Sequence, residues 1–163
     1  MAGDFDVRLT KKSKYAARAV VEIALSGRGT LGVAEISRRQ SIPERFLEQI
    51  FGELRRGGIL ESRRGAHGGY CLAMPAERVT VLDIVEILDG EVHPDRYSEG
   101  RDHPTDDAPC STGEVWDAAL VALEGVFNRY SIARLAEAER GSREEHEGPG
   151  RRETRVPPLL HPP

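Results

Sequence analysis

The sequence predicts a mainly α-helical fold with a small β-hairpin wing and a long C-terminal helix, and three observations predict it. Apolar residues recur at helical spacing in three segments before residue 57, a glycine-tipped pair of strand-like runs follows, and a strongly apolar helical stripe arrives only after residue 112. Helix, helix, tight turn, helix, hairpin is the order of a winged helix-turn-helix.

The first helix spans residues 13–25, with Tyr15, Ala16, Ala19, Val20 and Ile23 on one face and Lys14, Arg18 and Glu22 outside; Gly27-Arg28-Gly29 ends it. Residues 33–39 form a short second helix packing through Val33 and Ile36, and Gln40-Ser41-Ile42 is the tight turn into the third. There Pro43 and Glu44 open a helix that buries Phe46, Leu47, Ile50, Phe51 and Leu54, while Arg45, Glu48, Gln49, Glu53 and Arg56 take the opposite face. Gly57-Gly58 stops it, because a residue without Cβ accepts the left-handed cap conformation. Residues 59–64 fit a strand, 65–69 a turn, and Tyr70-Cys71-Leu72 the returning strand. Thr80-Val81-Leu82-Asp83 has the form of a capping box, and the helix behind it buries Val81, Ile84, Val85 and Leu88 before Asp89-Gly90 breaks it.

Residues 91–110 are polar, proline-bearing and nonperiodic, and a loop of that length in a compact domain is usually functional or disordered. Val115, Trp116, Ala119, Leu120, Leu123, Val126 and Phe127 then form an apolar stripe over residues 113–128 that needs a partner. The same helix of a second subunit would supply one, with Trp116, Leu120, Leu123 and Phe127 as the interface; packing back on its own domain is the alternative. Ser131 caps a short helix ending near Arg140, and residues 141–163, charged and proline-rich, read as a disordered tail. The expected division is 7–90 for a DNA-binding domain, 91–110 for a sensor loop, 111–140 for dimerisation helices and 141–163 for the tail.

Charge separates the two halves. Residues 7–74 hold 13 Lys/Arg against 6 Asp/Glu, whereas residues 75–163 hold 10 against 19, so a net charge of -4 hides a basic half. Basic charge confined to the winged part is the footprint of a phosphate-binding face, because each neutralised phosphate releases condensed counterions. Two cysteines, Cys71 and Cys110, cannot build a disulfide framework, no signal peptide is read ahead of the first helix, and no run reaches the ~18 apolar residues of a membrane span. A cytoplasmic protein without membrane function is expected. An enzyme is not: no Walker loop, nucleotide-binding glycine fingerprint, metal-ligand pair at helical spacing or nucleophile motif occurs.

Double-stranded DNA is the expected partner. Arg45, Glu48 and Gln49 are side chains able to pair with guanine, cytosine and adenine edges respectively. Lys11, Lys12, Ser13, Lys14 and Tyr15 cluster where the first helix begins, suited to holding a phosphate. In the turn, Gly65, Gly68 and Gly69 let backbone approach phosphate closely, and Ala66 and His67 between them are the other expected backbone contacts. Cys110 lies just before a helix, a position where the N-terminal dipole can make a thiol reactive, so it is a sensor candidate, whereas Cys71 beside Tyr70 reads as packing.

Four segments together carry a family resemblance. Arg8-Leu9-Thr10-Lys11-Lys12-Ser13-Lys14-Tyr15-Ala16, Phe46-Leu47-Glu48-Gln49-Ile50, Arg64-Gly65-x-x-Gly68-Gly69-Tyr70 and Cys110-Ser111-Thr112-x-x-x-Trp116 resemble the Rrf-two family of bacterial repressors, over residues 7–137. The resemblance implies a dimer joined by a long crossing helix, base contacts from Arg45, Glu48 and Gln49, and a minor-groove role for Arg64. Members that bind an iron-sulfur cluster carry three cysteines at the start of that helix and in the loop before it. This chain keeps only Cys110, with Gly113 where one subgroup has a histidine ligand and Lys14 where another has an aspartate. Iron-sulfur clusters depend on thiolates, so no cofactor is expected and the cluster-free, CymR-like branch is the nearer model. An atypical redox-sensing cluster using Cys110 with His93, His103 or a carboxylate is one alternative. The other is a protein-interaction adaptor in cysteine or iron-sulfur metabolism, with a metabolic enzyme of cysteine synthesis as its candidate partner.

Overall fold

The computed structural model describes residues 10–27, 29–65, 68–90, 92 and 111–147. Six helices and one hairpin follow in the order α1 (Lys11–Leu25), α2 (Val33–Gln40), α3 (Glu44–Arg56), β1 (Leu60–Arg63), β2 (Gly69–Leu72), α4 (Val81–Asp89), α5 (Ser111–Arg129) and α6 (Ile132–Glu147). A 3-10 turn, Ala76–Arg78, leads from the hairpin into α4.

The core forms where α1, α2 and α3 meet. Ala16, Ala19 and Val20 of α1, Ile36 of α2, and Leu47, Ile50, Phe51 and Leu54 of α3 are fully enclosed. Ser41 takes the left-handed conformation at φ 54°, and Ile42 N–H donates to the Ser37 carbonyl at 3.2 Å, which turns the chain from α2 into α3. At the far end of α3 the left-handed residue is Gly58. Its N–H donates to the Arg55 carbonyl and Ile59 N–H to the Leu54 carbonyl, so the last-turn carbonyls are satisfied while Ile59 packs into the core beside Leu54.

β1 and β2 pair antiparallel, Leu60 opposite Leu72 and Arg63 opposite Gly69. Leu31 and Tyr70 exchange both main-chain hydrogen bonds at 2.9 Å, which fastens the wing to the segment before α2. Gly69 is required there: its φ is +154°, and a Cβ would sit 2.5 Å from the Leu31 carbonyl oxygen. Thr80 and Asp83 form the expected capping box of α4.

Three expectations change. Glu22, read as an outward residue of the first helix, is fully buried because Arg39 and Gln40 of α2 and Arg143 of α6 converge on its carboxylate. The last helix continues past Arg140 to Glu147, since Arg143 is held both by Glu22 and by Glu139 one turn back. The helices of 111–140, expected as a division of their own, are joined to the head. Ile132 and Ala136 belong to the main core, and the α5–α6 corner is stitched to the segment entering α4 by Ile132 N–H to the Val79 carbonyl and Val81 N–H to the Tyr130 carbonyl.

Candidate nucleic-acid interface

Helix α3 has two unlike faces. One is sealed in the core; on the other Arg45, Glu48 and Gln49 are exposed and have no hydrogen-bond or ion-pair partner among the described residues. β1 packs against α3, and Arg55 Nη1 donates to Ser62 Oγ at 3.2 Å, so the end of the helix and the wing are tied together. Arg55 and Arg56 at the end of α3 and Arg63 and Arg64 of the wing are all exposed. Sequence reasoning misses Arg55; its place beside Arg56 at the basic end of α3 is the available signal. Gly65 and Gly68 close the turn through Gly68 N–H to the Gly65 carbonyl, 2.9 Å, while Ala66 and His67 lie outside the described residues.

The start of α1 divides. Lys11 and Lys14 are exposed, but Ser13 is buried and donates its hydroxyl to Asp89, and Lys12 Nζ pairs with Glu53 Oε2 at 2.7 Å. Asp89 also accepts from the Thr10 amide and hydroxyl, at 3.3 and 2.7 Å. Its carboxylate, ill placed at the end of α4, sits against the positive end of α1 instead. Ser13 and Lys12 thus join helices, which leaves Lys11 and Lys14 as the exposed cations of this cluster. Tyr15 is half-buried with its ring edge-on to Phe46, centroids 5.9 Å apart, bracing the first turn of α3.

On α5, Leu120 is buried against Val85 and Val92, with Leu123 and Phe127 packed beside it and Val81 and Leu82. Three of the four expected interface residues therefore cover the chain's own α4, because the second apolar patch of the head lies under them. Trp116 stays 58% exposed. The opposite face of α5 is open and apolar, with Val115, Ala118, Ala119, Ala122, Gly125 and Val126 all exposed.

The sensor candidates Cys110, His93 and His103 lie outside the described residues. Among the described residues no group of three or more His, Cys, Asp or Glu is placed to hold a metal. Cys71 is buried in the wing strand β2, which leaves one other thiol in the sequence. That donor set does not fit a cluster held by cysteine thiolates. No helix of the described residues is long and apolar enough to cross a membrane.

Residues 9–138 match the Rrf2 family, described as an iron-dependent transcriptional regulator. The chain belongs to the Rrf2 family. A putative HTH-type transcriptional regulator of Haemophilus influenzae is 34% identical over 141 residues, covering 86% of this chain and 93% of the relative. The HTH-type regulator IscR of Sodalis glossinidius is 34% identical over 134 residues, 82% of this chain and 81% of the relative. Among solved structures, CymR, the global cysteine regulator of B. subtilis, superposes with a TM-score of 0.69 at 26% identity, covering 80% of this chain and 97% of that one. T. potens IscR gives 0.69 at 26% identity, covering 88% and 93%. The protein is accordingly a DNA-binding transcriptional regulator with a winged-helix head, and not an enzyme.

Proposed function

We propose that this Rrf2-family regulator acts as a homodimeric repressor on a partly palindromic operator. The single observation that carries the reading is the unpartnered polar face of α3: Arg45, Glu48 and Gln49 are held outward by a helix whose other side is immobilised in the core. In this reading α3 enters the major groove, Arg45 and Gln49 make bidentate contacts and Glu48 accepts from cytosine. Arg64 enters the adjoining minor groove, and Lys11, Lys14 and the Gly65–Gly68 backbone fix the register on phosphate. The open face of α5 joins two copies, because small side chains at Ala118, Ala122 and Gly125 allow a second helix to approach closely and Val115 and Val126 supply apolar area. Response to a signal is assigned to residues 91–110, which connect α4 to that helix. No described surface feature points to a metabolic enzyme as partner.

Footprinting on the protein's own upstream region tests this. A protected segment with two similar halves about one or two helical turns apart is expected, and the Arg64→Ala, Gln49→Ala double variant is expected to lose protection while retaining its melting temperature. Protection unchanged in that variant would overturn the reading.

A further inference from the structure

A cleft of about 540 Å³ between α1 and α6 takes no part in the DNA reading. Its apolar lining comes from Ala17 and Val21 of α1 and Leu135 and Ala138 of α6, and its polar lining from Arg18, Gln40, Ser142, Arg143 and one carboxylate, Glu139, which is paired with Arg143. The two rim cations differ. Arg143 is neutralised by Glu22 and Glu139. Arg18 is exposed, and its polar partners among the described residues are both neutral: Nε donates to Gln40 Oε1 and Nη2 to the Gln40 carbonyl, each at 2.8 Å. A carboxylate can accept two parallel N–H bonds from a guanidinium, and as an anion it adds a Coulomb attraction that the neutral Gln40 acceptors lack.

We infer that this cleft binds a small organic acid, the carboxylate on Arg18 and the apolar body across Ala17, Val21, Leu135 and Ala138. Gln40 is the last residue of α2, and the Arg18 bond satisfies a carbonyl that the helix end leaves open. Left-handed Ser41 and then α3 follow directly. A ligand that draws Arg18 away from Gln40 releases the turn that aims α3, so occupancy lowers DNA affinity; this regulatory consequence rests on the DNA reading above, whereas the binding site does not.

Calorimetric titration of the full-length protein with octanoate, beside octan-1-ol and octylamine, tests the site. Saturable octanoate binding is expected, weakened about tenfold or more in Arg18→Gln and for the uncharged alcohol. Ala138→Trp, which fills the cleft from an exposed position, is expected to abolish it. No saturation, equal binding of the alcohol, or undiminished binding by Arg18→Gln would overturn the site. With octanoate present, the protein's affinity for its own upstream duplex is expected to fall; an unchanged affinity overturns the coupling. Octanoate binding by a protein that never binds DNA would sink the repressor reading and leave the site standing, and DNA binding without octanoate binding would do the reverse.

Discussion

Glu22 is a carboxylate without solvent contact in the middle of α1, and it persists because three side chains are bonded to it. Burial by itself pushes its pKa up, but hydrogen bonds from Arg143 and Arg39, the Arg143 charge and Gln40 outweigh that and hold it below the ordinary carboxylate value. A folded-state pKa below the unfolded one contributes stability that is present above the unfolded value and is lost as pH falls through the folded one. Melting temperature is therefore expected to drop on acidification below about pH 4.5, and the drop should flatten in Glu22→Gln. Glu22→Ala at neutral pH should cost about 3 kcal/mol in denaturant unfolding, the low end for breaking a buried pair, since both arginines reach solvent. The exposed face of α3 obeys a different rule. Gln49→Ala and Arg45→Ala leave no cavity, so stability should hold, while each should lower discrimination at its own base pair by about 1–3 kcal/mol in competition binding.

Helices and strands were legible in the sequence to the extent that local chemistry decides them. The Thr80–Asp83 box, the Gly57-Gly58 stop, the α2–α3 turn and the wing all carry their reason within a few residues, and each formed where the pattern placed it. Periodicity could not say which of two surfaces an apolar face meets. Leu120, Leu123 and Phe127 sit on α4, and the thinner stripe of Val115, Ala118, Ala122 and Gly125 faces outward. Glu22 hid for the same reason: its partners lie 17, 18 and 121 residues away. The outward polar face of α3 was legible because an exposed side chain on an amphipathic helix needs no long-range information. Two substitutions separate the faces of α5. If α5 joins two copies as proposed, Ala122→Glu should leave a monomer in sedimentation with little change in monomer unfolding, whereas Leu120→Ala should cost about 2 kcal/mol of stability by opening a cavity at α4. The wing offers an independent check: Gly69→Ala should strain a left-handed position against the Leu31 carbonyl and cost about 1–3 kcal/mol, with hydrogen exchange at Leu31 and Tyr70 accelerated.

At the scale of the whole molecule the charge distribution is polar in the sense of a magnet. The reading head is basic, whereas α5 and α6 together carry eight Asp/Glu against four Arg. In the proposed reading the basic head attracts a duplex and the acidic helices repel it, which orients encounters before any base is read. The consequence is a steep ionic-strength dependence that net charge alone, being negative, would not suggest. If two heads together neutralise about 6–10 phosphates, the association constant should fall roughly 10³–10⁵-fold between 50 and 200 mM salt. Replacing Lys11 and Lys14 by alanine takes two cations from each head of a dimer. The slope of log K against log salt should then shrink by about one unit for every phosphate no longer neutralised, with operator preference unchanged. Substituting the acidic residues of α6 that face solvent, Glu144 and Glu145, by glutamine should strengthen binding at low salt and have no effect at high salt, because a repulsion beyond about 10 Å is screened at 0.1 M. A slope unaltered by Lys11→Ala and Lys14→Ala would place the phosphate grip elsewhere, on Arg56 or Arg63.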